Sequence, residues 1–229
     1  KISGVCEIFR QGLQEKTTCG GTCPMVTGYF KLYSGIMKIA YITLGCKLNY
    51  AETSTYEREL LKEDFEAVSW NKGADVFVVN TCTVTEHSDK KSRNIIRKLH
   101  RQCPDAKIFV TGCYAQLSAE KLAQEPGVGV VLGIDKKGDV LDYIIKNVEN
   151  ANSGEWFVQP TKDVRNFVHS CSRGDRTRYF LKVQDGCDYY CTYCTIPLAR
   201  GRSRSGTVAQ MVEQAREVAA AGGKEIVIT

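Results

Sequence analysis

From residue 38 onward, short apolar runs alternate with longer stretches whose apolar positions recur at helical spacing. The runs 38–44 (Lys38-Ile-Ala-Tyr-Ile-Thr-Leu44), 74–80 (Ala74-Asp-Val-Phe-Val-Val-Asn80), 107–112 and 128–132 predict strands. Helices are predicted near 51–66, 85–102, 115–125 and 138–149. Strands that alternate with helices pair in parallel through right-handed crossovers. The runs are apolar throughout, as expected when both faces of a sheet are covered. The expected fold is α/β, with an open parallel-sheet βα domain over 37–150.

After Ala151-Asn-Ser-Gly154 the pattern stops, and the polar, irregular stretch 151–176 reads as an interdomain linker. A strand is predicted at 178–184 and a helix at 207–221, closed by Gly222-Gly223, with another strand at 224–229. Residues 177–229 are thus expected to begin a second βα domain that is truncated. Residues 1–36 scatter glycines with no sustained period, and Met37 opens the first strand. They are expected to be a non-native extension, and Cys6, Cys19 and Cys23 within it receive no role.

Composition narrows the class. The 229 residues allow one large domain or two modest ones, and 43% apolar with 25% charged residues argues against disorder. No apolar run is long enough for a membrane-spanning helix, so no membrane partner is expected. No secretory leader is evident, and the expected compartment is the reducing cytosol. Eleven cysteines, an odd number, cannot all pair. In that compartment cysteines serve more often as metal ligands or catalytic groups. The net charge of +5 is concentrated in 161–210, where nine Lys and Arg face four Asp and Glu. This concentration suggests a polyanion partner, with a solvated basic loop as the plain alternative.

Two cysteine sets stand out. Cys46, Cys82 and Cys113 each lie just after a predicted parallel strand. The C-terminal ends of such strands share one sheet edge, where ligands bind, so three thiols separated widely in sequence can converge there. Three thiolates suit a zinc ion or an iron–sulfur cluster, and buried structural cysteines are the alternative. No fourth ligand is evident, although His87 and His100 on the 85–102 helix are candidates. The second set, Gly186-Cys187-Asp-Tyr-Tyr-Cys191-Thr-Tyr-Cys194, follows a strand with Cys-x3-Cys-x2-Cys spacing. A loop of that length can wrap three thiolates round one face of a [4Fe–4S] cubane, leaving one iron open. Zinc is the competing account there.

These residues resemble a known family. Cys187-x3-Cys191-x2-Cys194, with Tyr193 before the last cysteine, is similar to the radical S-adenosylmethionine (SAM) signature. Leu44-Gly-Cys-Lys-Leu-Asn49 followed by Glu52, Asn80-Thr-Cys-Thr-Val-Thr85 with Asp89-Lys-Lys-Ser-Arg93, Thr111-Gly-Cys113 and Cys191-Thr-Tyr-Cys-Thr-Ile-Pro197 running into Arg200-Gly-Arg202 resemble the methylthiotransferases. The likeness covers about 38–229. Gly45-Cys-Lys-Leu-Asn49 resembles the branch that modifies threonylcarbamoyladenosine in tRNA; other branches act on isopentenyladenosine in tRNA or on a ribosomal-protein aspartate.

The resemblance implies 2-methylthiolation of N6-threonylcarbamoyladenosine beside the anticodon, with two [4Fe–4S] clusters and S-adenosylmethionine as cofactors. Cys187, Cys191 and Cys194 would hold the cluster that cleaves S-adenosylmethionine to a radical. The cluster on Cys46, Cys82 and Cys113 would supply sulfur. The partners implied are the tRNA anticodon loop and a reducing electron donor. Cofactor chemistry is needed because side-chain acids and bases cannot activate an aromatic C–H. The second domain would be the start of a radical SAM partial (β/α) barrel. Only 177–229 follow the linker, whereas a full (β/α)8 barrel takes about 250 residues. The chain alone is therefore expected to be inactive. Arg200, Arg202 and Arg204 are expected to meet RNA phosphates. Tyr193 is the expected cofactor contact, and with Tyr189 and Tyr190 it suits stacking on adenine or, preferably, shielding the cluster. The basic group Lys90, Lys91, Arg93, Arg97, Lys98 and Arg101 reads as a plain surface helix. A zinc-stabilised nucleic-acid-binding module without catalysis and an iron–sulfur electron carrier are the competing classes.

Overall fold

The computed structural model describes residues 36–63, 65–148, 154–173 and 178–229. The expectations for 1–35, including Cys6, Cys19 and Cys23, lie outside the described residues. The apolar runs form a parallel sheet: β1 (Met37–Thr43), β2 (Phe65–Ala67), β3 (Val76–Thr81), β4 (Lys107–Gly112), β5 (Val128–Leu132) and β6 (Glu155–Phe157). Their spatial order is β2-β1-β3-β4-β5-β6, and every pairing is parallel. The chain leaves β1 toward β2, then crosses back to β3 and continues the other way. That reversal opens a crevice between the C-terminal ends of β1 and β3, where ligands bind in open α/β sheets.

Alternate residues of the strands feed two cores. On one face Ala40, Ile42, Phe77, Val79, Ile108 and Val110 pack beneath α2 (Glu86–Gln102) and two short helices, α3 (Cys113–Leu117) and α4 (Ala119–Ala123). On the other, Ile39, Val76, Val78, Phe109, Val130 and Leu132 pack beneath α1 (Lys47–Leu60) and α5 (Val140–Asn147). Burial on both faces explains why the strands read as unbroken apolar runs.

Within and beside this sheet three predictions differ. The helix expected over 51–66 ends at Leu60, its last buried residue, and Phe65–Ala67 joins the sheet edge beside β1. The helix expected over 115–125 begins at Cys113 and breaks at Ser118. Part of the stretch read as a linker is β6, which pairs with β5. A three-residue strand is too short to display a period.

Beyond β6, residues 170–172 run antiparallel to β7 (Arg178–Leu181) through a bridge between Cys171 and Leu181. The strand expected over 178–184 divides: β8 (Gln184–Asp185) turns to pair antiparallel with β9 (Arg204–Ser205). Between them lie the second cysteine loop and α6 (Ile196–Arg200). The helix α7 (Val208–Ala220) opens on a capping box between Thr207 and Gln210 and leads to β10 (Glu225–Ile228), parallel to β7. This βαβ unit is seated on α1. The Tyr50 and Phe180 rings meet edge to face at 5.8 Å, and Thr55 Oγ1 accepts from Cys171 N at 3.2 Å.

Candidate functional site

Cys46 is the N-cap of α1, Cys82 follows Thr81 at the end of β3, and Cys113 opens α3 directly after β4. The three neighbouring strands β1, β3 and β4 thus deliver the first set to one sheet edge. Gly45 makes the approach possible: its φ is +107°, and a Cβ there would lie 2.8 Å from Cys82 Sγ. The loops are pinned by buried amides. Asn49 Nδ2 donates to Leu44 O at 2.9 Å and to Thr81 O at 3.0 Å, ahead of Cys46 and Cys82 respectively. Thr81 Oγ1 donates to Thr111 O at 2.7 Å and accepts from Ala115 N at 3.2 Å, fixing the turn that carries Cys113. Burial pushes the Cys82 thiol up, and the neighbouring Cys113 and Cys46 sulfurs add to the rise.

The second set occupies the loop between β8 and α6. Gly186 has φ +77°, and a Cβ there would lie 2.1 Å from Arg202 O. Cys187 N donates to Gly201 O at 3.1 Å, Cys194 N to Cys191 O at 2.9 Å, and Ser203 N to Asp188 Oδ1 at 3.2 Å, so the loop is tied at both ends. Cys191 is exposed, and Cys187 and Cys194 are half-buried. Tyr189 and Tyr193 are 87% and 89% exposed, so their rings project into solvent rather than covering the thiols as the shielding reading expects.

The three arginines separate in role. Arg200 is 4% exposed and cannot reach a phosphate outside the protein. Its Nε donates to Cys113 Sγ at 3.1 Å, its Nη1 to Asp185 Oδ1 at 2.7 Å, and its Nη2 to Asn49 Oδ1 at 2.5 Å. This corrects the expectation of an RNA contact: β8 and α6 fold the side chain inward onto α1, where the buried acceptors lie. Arg204 donates from Nη1 to Arg200 O at 2.8 Å and Arg202 O at 2.7 Å. Its guanidinium clamps the backbone. Arg202 alone of the three is exposed.

Around Arg200 lies a buried charge cluster that sequence reasoning missed. Glu52 on α1 accepts from Lys137 Nζ at 2.5 Å and from Lys182 Nζ at 2.9 Å. Lys182 also meets Asp185 at 2.7 Å. Burial by itself would raise the Glu52 carboxyl, but Lys137, Lys182 and Arg200 outweigh it and hold it down at about 2. Burial likewise opposes ionisation of Asp185, and Arg200, Lys182 and Lys137 hold it well below the usual carboxylate range. A lysine inside the apolar strand pattern at 182, and Asn49 with Glu52 on one helix face, were the available signals; nothing marked Lys137.

His100 is excluded as a further ligand to the first set. Its ring packs against Gly127, which precedes β5, at the sheet edge opposite the cysteines. The basic face of α2 is engaged structurally, with Arg97 forked onto Glu125 at 2.6 and 2.8 Å and Arg93 bonded to Tyr114.

Residues 38–133 match the model of the family described as "Uncharacterized protein family UPF0004". The chain is 41% identical over 199 residues to "Threonylcarbamoyladenosine tRNA methylthiotransferase MtaB" of Bacillus subtilis, covering 83% of this chain and 43% of that protein. It is 39% identical over 197 residues to the protein of the same name from Aquifex aeolicus, covering 84% and 47%. The chain belongs to the methylthiotransferase family. It spans less than half the length of these family members. A solved structure of the radical S-adenosylmethionine methyltransferase TsrM from Kitasatospora setae, with tryptophan and a SAM analog bound, shares its fold. The TM-score is 0.53 at 12% identity, covering 84% of this chain and 48% of that one.

Membership of the methylthiotransferase family implies S-adenosylmethionine and iron–sulfur clusters. The donor sets fit the second of these: all six thiols of the two sets are free, and three of them follow the adjacent strands β1, β3 and β4 beside the switch point. Among the described residues no three His, Cys, Asp or Glu side chains converge as ligands of a single metal ion. A cubane differs from such an ion in offering each thiolate its own iron. Among the described residues no helix is long and apolar enough to cross a membrane.

Proposed function

We propose that this chain contributes the cluster-bearing part of a tRNA methylthiotransferase that converts N6-threonylcarbamoyladenosine beside the anticodon to its 2-methylthio form. In this reading 37–150 is the methylthiotransferase domain and 177–229 opens the radical SAM domain. Cys46, Cys82 and Cys113 hold one [4Fe–4S] cluster, and Cys187, Cys191 and Cys194 hold a second, whose open iron takes S-adenosylmethionine. When bound, these cofactors supply radical cleavage of the C–H bond and the sulfur. The tRNA anticodon loop and a reducing electron donor are the partners, and the cytosol is the compartment.

The observation that carries the reading is Arg200. It follows the second cysteine loop in sequence, yet it bonds to Cys113 of the first set and to Asp185 on the strand entering the second. One buried side chain ties the two sets together, as two cofactors acting on one substrate require. The remaining roles follow from exposure. The exposure of Arg202 supports a role in neutralising a phosphate of the anticodon loop. Tyr193, free in solvent, is available to stack on the adenine of the cofactor. The names of the relatives support this choice of substrate branch.

The test is anaerobic reconstitution followed by iron, sulfide and zinc analysis of the chain and of triple Cys→Ala versions of each set. Iron is expected at about eight atoms per chain, falling to about four in either variant. Zinc without sulfide would overturn the reading in favour of a binding module. With the full-length enzyme, the mass of the modified nucleoside decides the branch, and a product on isopentenyladenosine or on a ribosomal protein would replace the substrate named above.

A further inference from the structure

Arg200 is held by every side of its guanidinium. Nε faces Cys113 Sγ at 3.1 Å, Nη1 faces Asp185 at 2.7 Å and Glu52 at 3.4 Å, and Nη2 faces Asn49 Oδ1 at 2.5 Å. Asn49 Oδ1 also accepts from Cys46 Sγ at 3.7 Å. Arg200 therefore reaches one thiol of the first set directly, and a second through one amide while Cys46 is protonated. A lysine offers a single point of attachment and cannot reproduce this planar fork.

The charges do not balance within the cluster. Among the described residues Lys137, Lys182, Arg200 and Arg204 form their ion pairs with two carboxylates, Glu52 and Asp185. Buried charge is costly unless an anion meets it. The further acidic group in contact with Arg200 is the Cys113 sulfur. A neutral thiol leaves the excess unmatched, whereas a thiolate bound to iron in an anionic cluster meets it. Hydrogen bonds and positive charge at a cluster's sulfurs make its reduction easier.

The geometry points to Arg200 as a positioning residue that orients Cys113 toward the first cluster and raises that cluster's reduction potential. This inference rests on the reading that the first set holds a cluster. It assigns to α6, which follows the second cysteine loop, control over the redox poise of the first cluster.

The experiment uses the whole chain with Cys187, Cys191 and Cys194 all changed to Ala, so that only the first set is loaded. In this background Arg200→Lys is compared with the charge-balanced pair Arg200→Gln with Glu52→Gln, and Arg202→Ala serves as a control. Circular dichroism checks folding, and iron and sulfide are counted. The reduced cluster is measured by electron paramagnetic resonance at a series of fixed potentials. The paired variant is expected to keep its iron while the ratio of reduced to oxidised cluster at one potential falls about tenfold, equivalent to about 59 mV for a one-electron couple. Arg200→Lys should fall between it and the parent, and Arg202→Ala should match the parent. An unmoved potential in variants that hold iron overturns the inference alone. Iron lost from folded variants also overturns it, since Arg200 would then serve assembly rather than potential. Absence of iron and sulfide from the parent would overturn both this inference and the reading beneath it.

Discussion

Glu52 lies on α1 with no exposure to solvent and faces Lys137, Lys182 and Arg200. Removing one partner of a buried ion network leaves the others uncompensated, so Glu52→Gln alone should cost about 3–5 kcal/mol in urea denaturation at neutral pH. The direction of the pH effect follows from the same contacts. The fold favours the ionised carboxyl, drawing it from 4.5 to about 2, and Asp185 moves the same way. A depressed carboxyl stabilises the fold fully above its unfolded value and loses that contribution as pH falls through the folded one. The urea midpoint should therefore decline from about pH 4.5 downward, with a shallower decline in Glu52→Gln. Equal slopes in the two proteins would show that Glu52 does not carry the effect. In sequence Glu52 was visible only as part of a family motif. Its burial depends on Lys137 and Lys182, 85 and 130 residues away, and no local pattern encodes such a meeting.

Among the elements, the second cysteine loop depends on Gly186. The residue combines a left-handed φ of +77° with backbone contact to Arg202, and the next residue, Cys187, bonds to Gly201. Gly186→Ala should destabilise the chain by more than about 1 kcal/mol, because both the dihedral and the space are wrong for a Cβ. The second set should also lose metal selectively, leaving about four irons on the first after reconstitution. Normal occupancy of both sets with unchanged stability would mean that the loop re-forms without this turn. The spacing of Cys187, Cys191 and Cys194 was readable because all three lie on one loop. The turn that aims them was not, since it depends on β9 closing against β8.

At the scale of the molecule, α1 faces two ways. Tyr56 and Leu60 enter the sheet core, while Tyr50, Ser54 and Thr55 receive the segment leading to β7 and β7 itself. A helix shared in this manner should couple the sheet to the βαβ unit in unfolding. Phe180→Ala, which removes a nearly buried ring from the joint, is expected to cost about 3–5 kcal/mol and to lower a single transition seen by both far- and near-ultraviolet circular dichroism. Two separated transitions would mean that the parts fold independently. The stretch read as a linker hides this coupling, because β6 and residues 170–172 make their hydrogen bonds to partners distant in sequence or supplied by the next strand.

The sequence alone determined what repeats or clusters locally. Apolar runs specified the parallel strands, helical spacing specified most of the helices between them, and cysteine spacing marked the second loop. It also placed Cys46, Cys82 and Cys113 after strands, since the end of a strand is a local event. Tertiary structure decided what depends on strand order: that β1, β3 and β4 are neighbours, that their three thiols share one crevice, and that Arg200 turns inward. An arginine that follows a cysteine loop and opens the run Arg200, Arg202 and Arg204 reads as a phosphate contact when only its neighbours in sequence are known. Its partners Asn49, Glu52 and Cys113 lie 151, 148 and 87 residues away, and only the crossover of the chain brings their buried acceptors within reach.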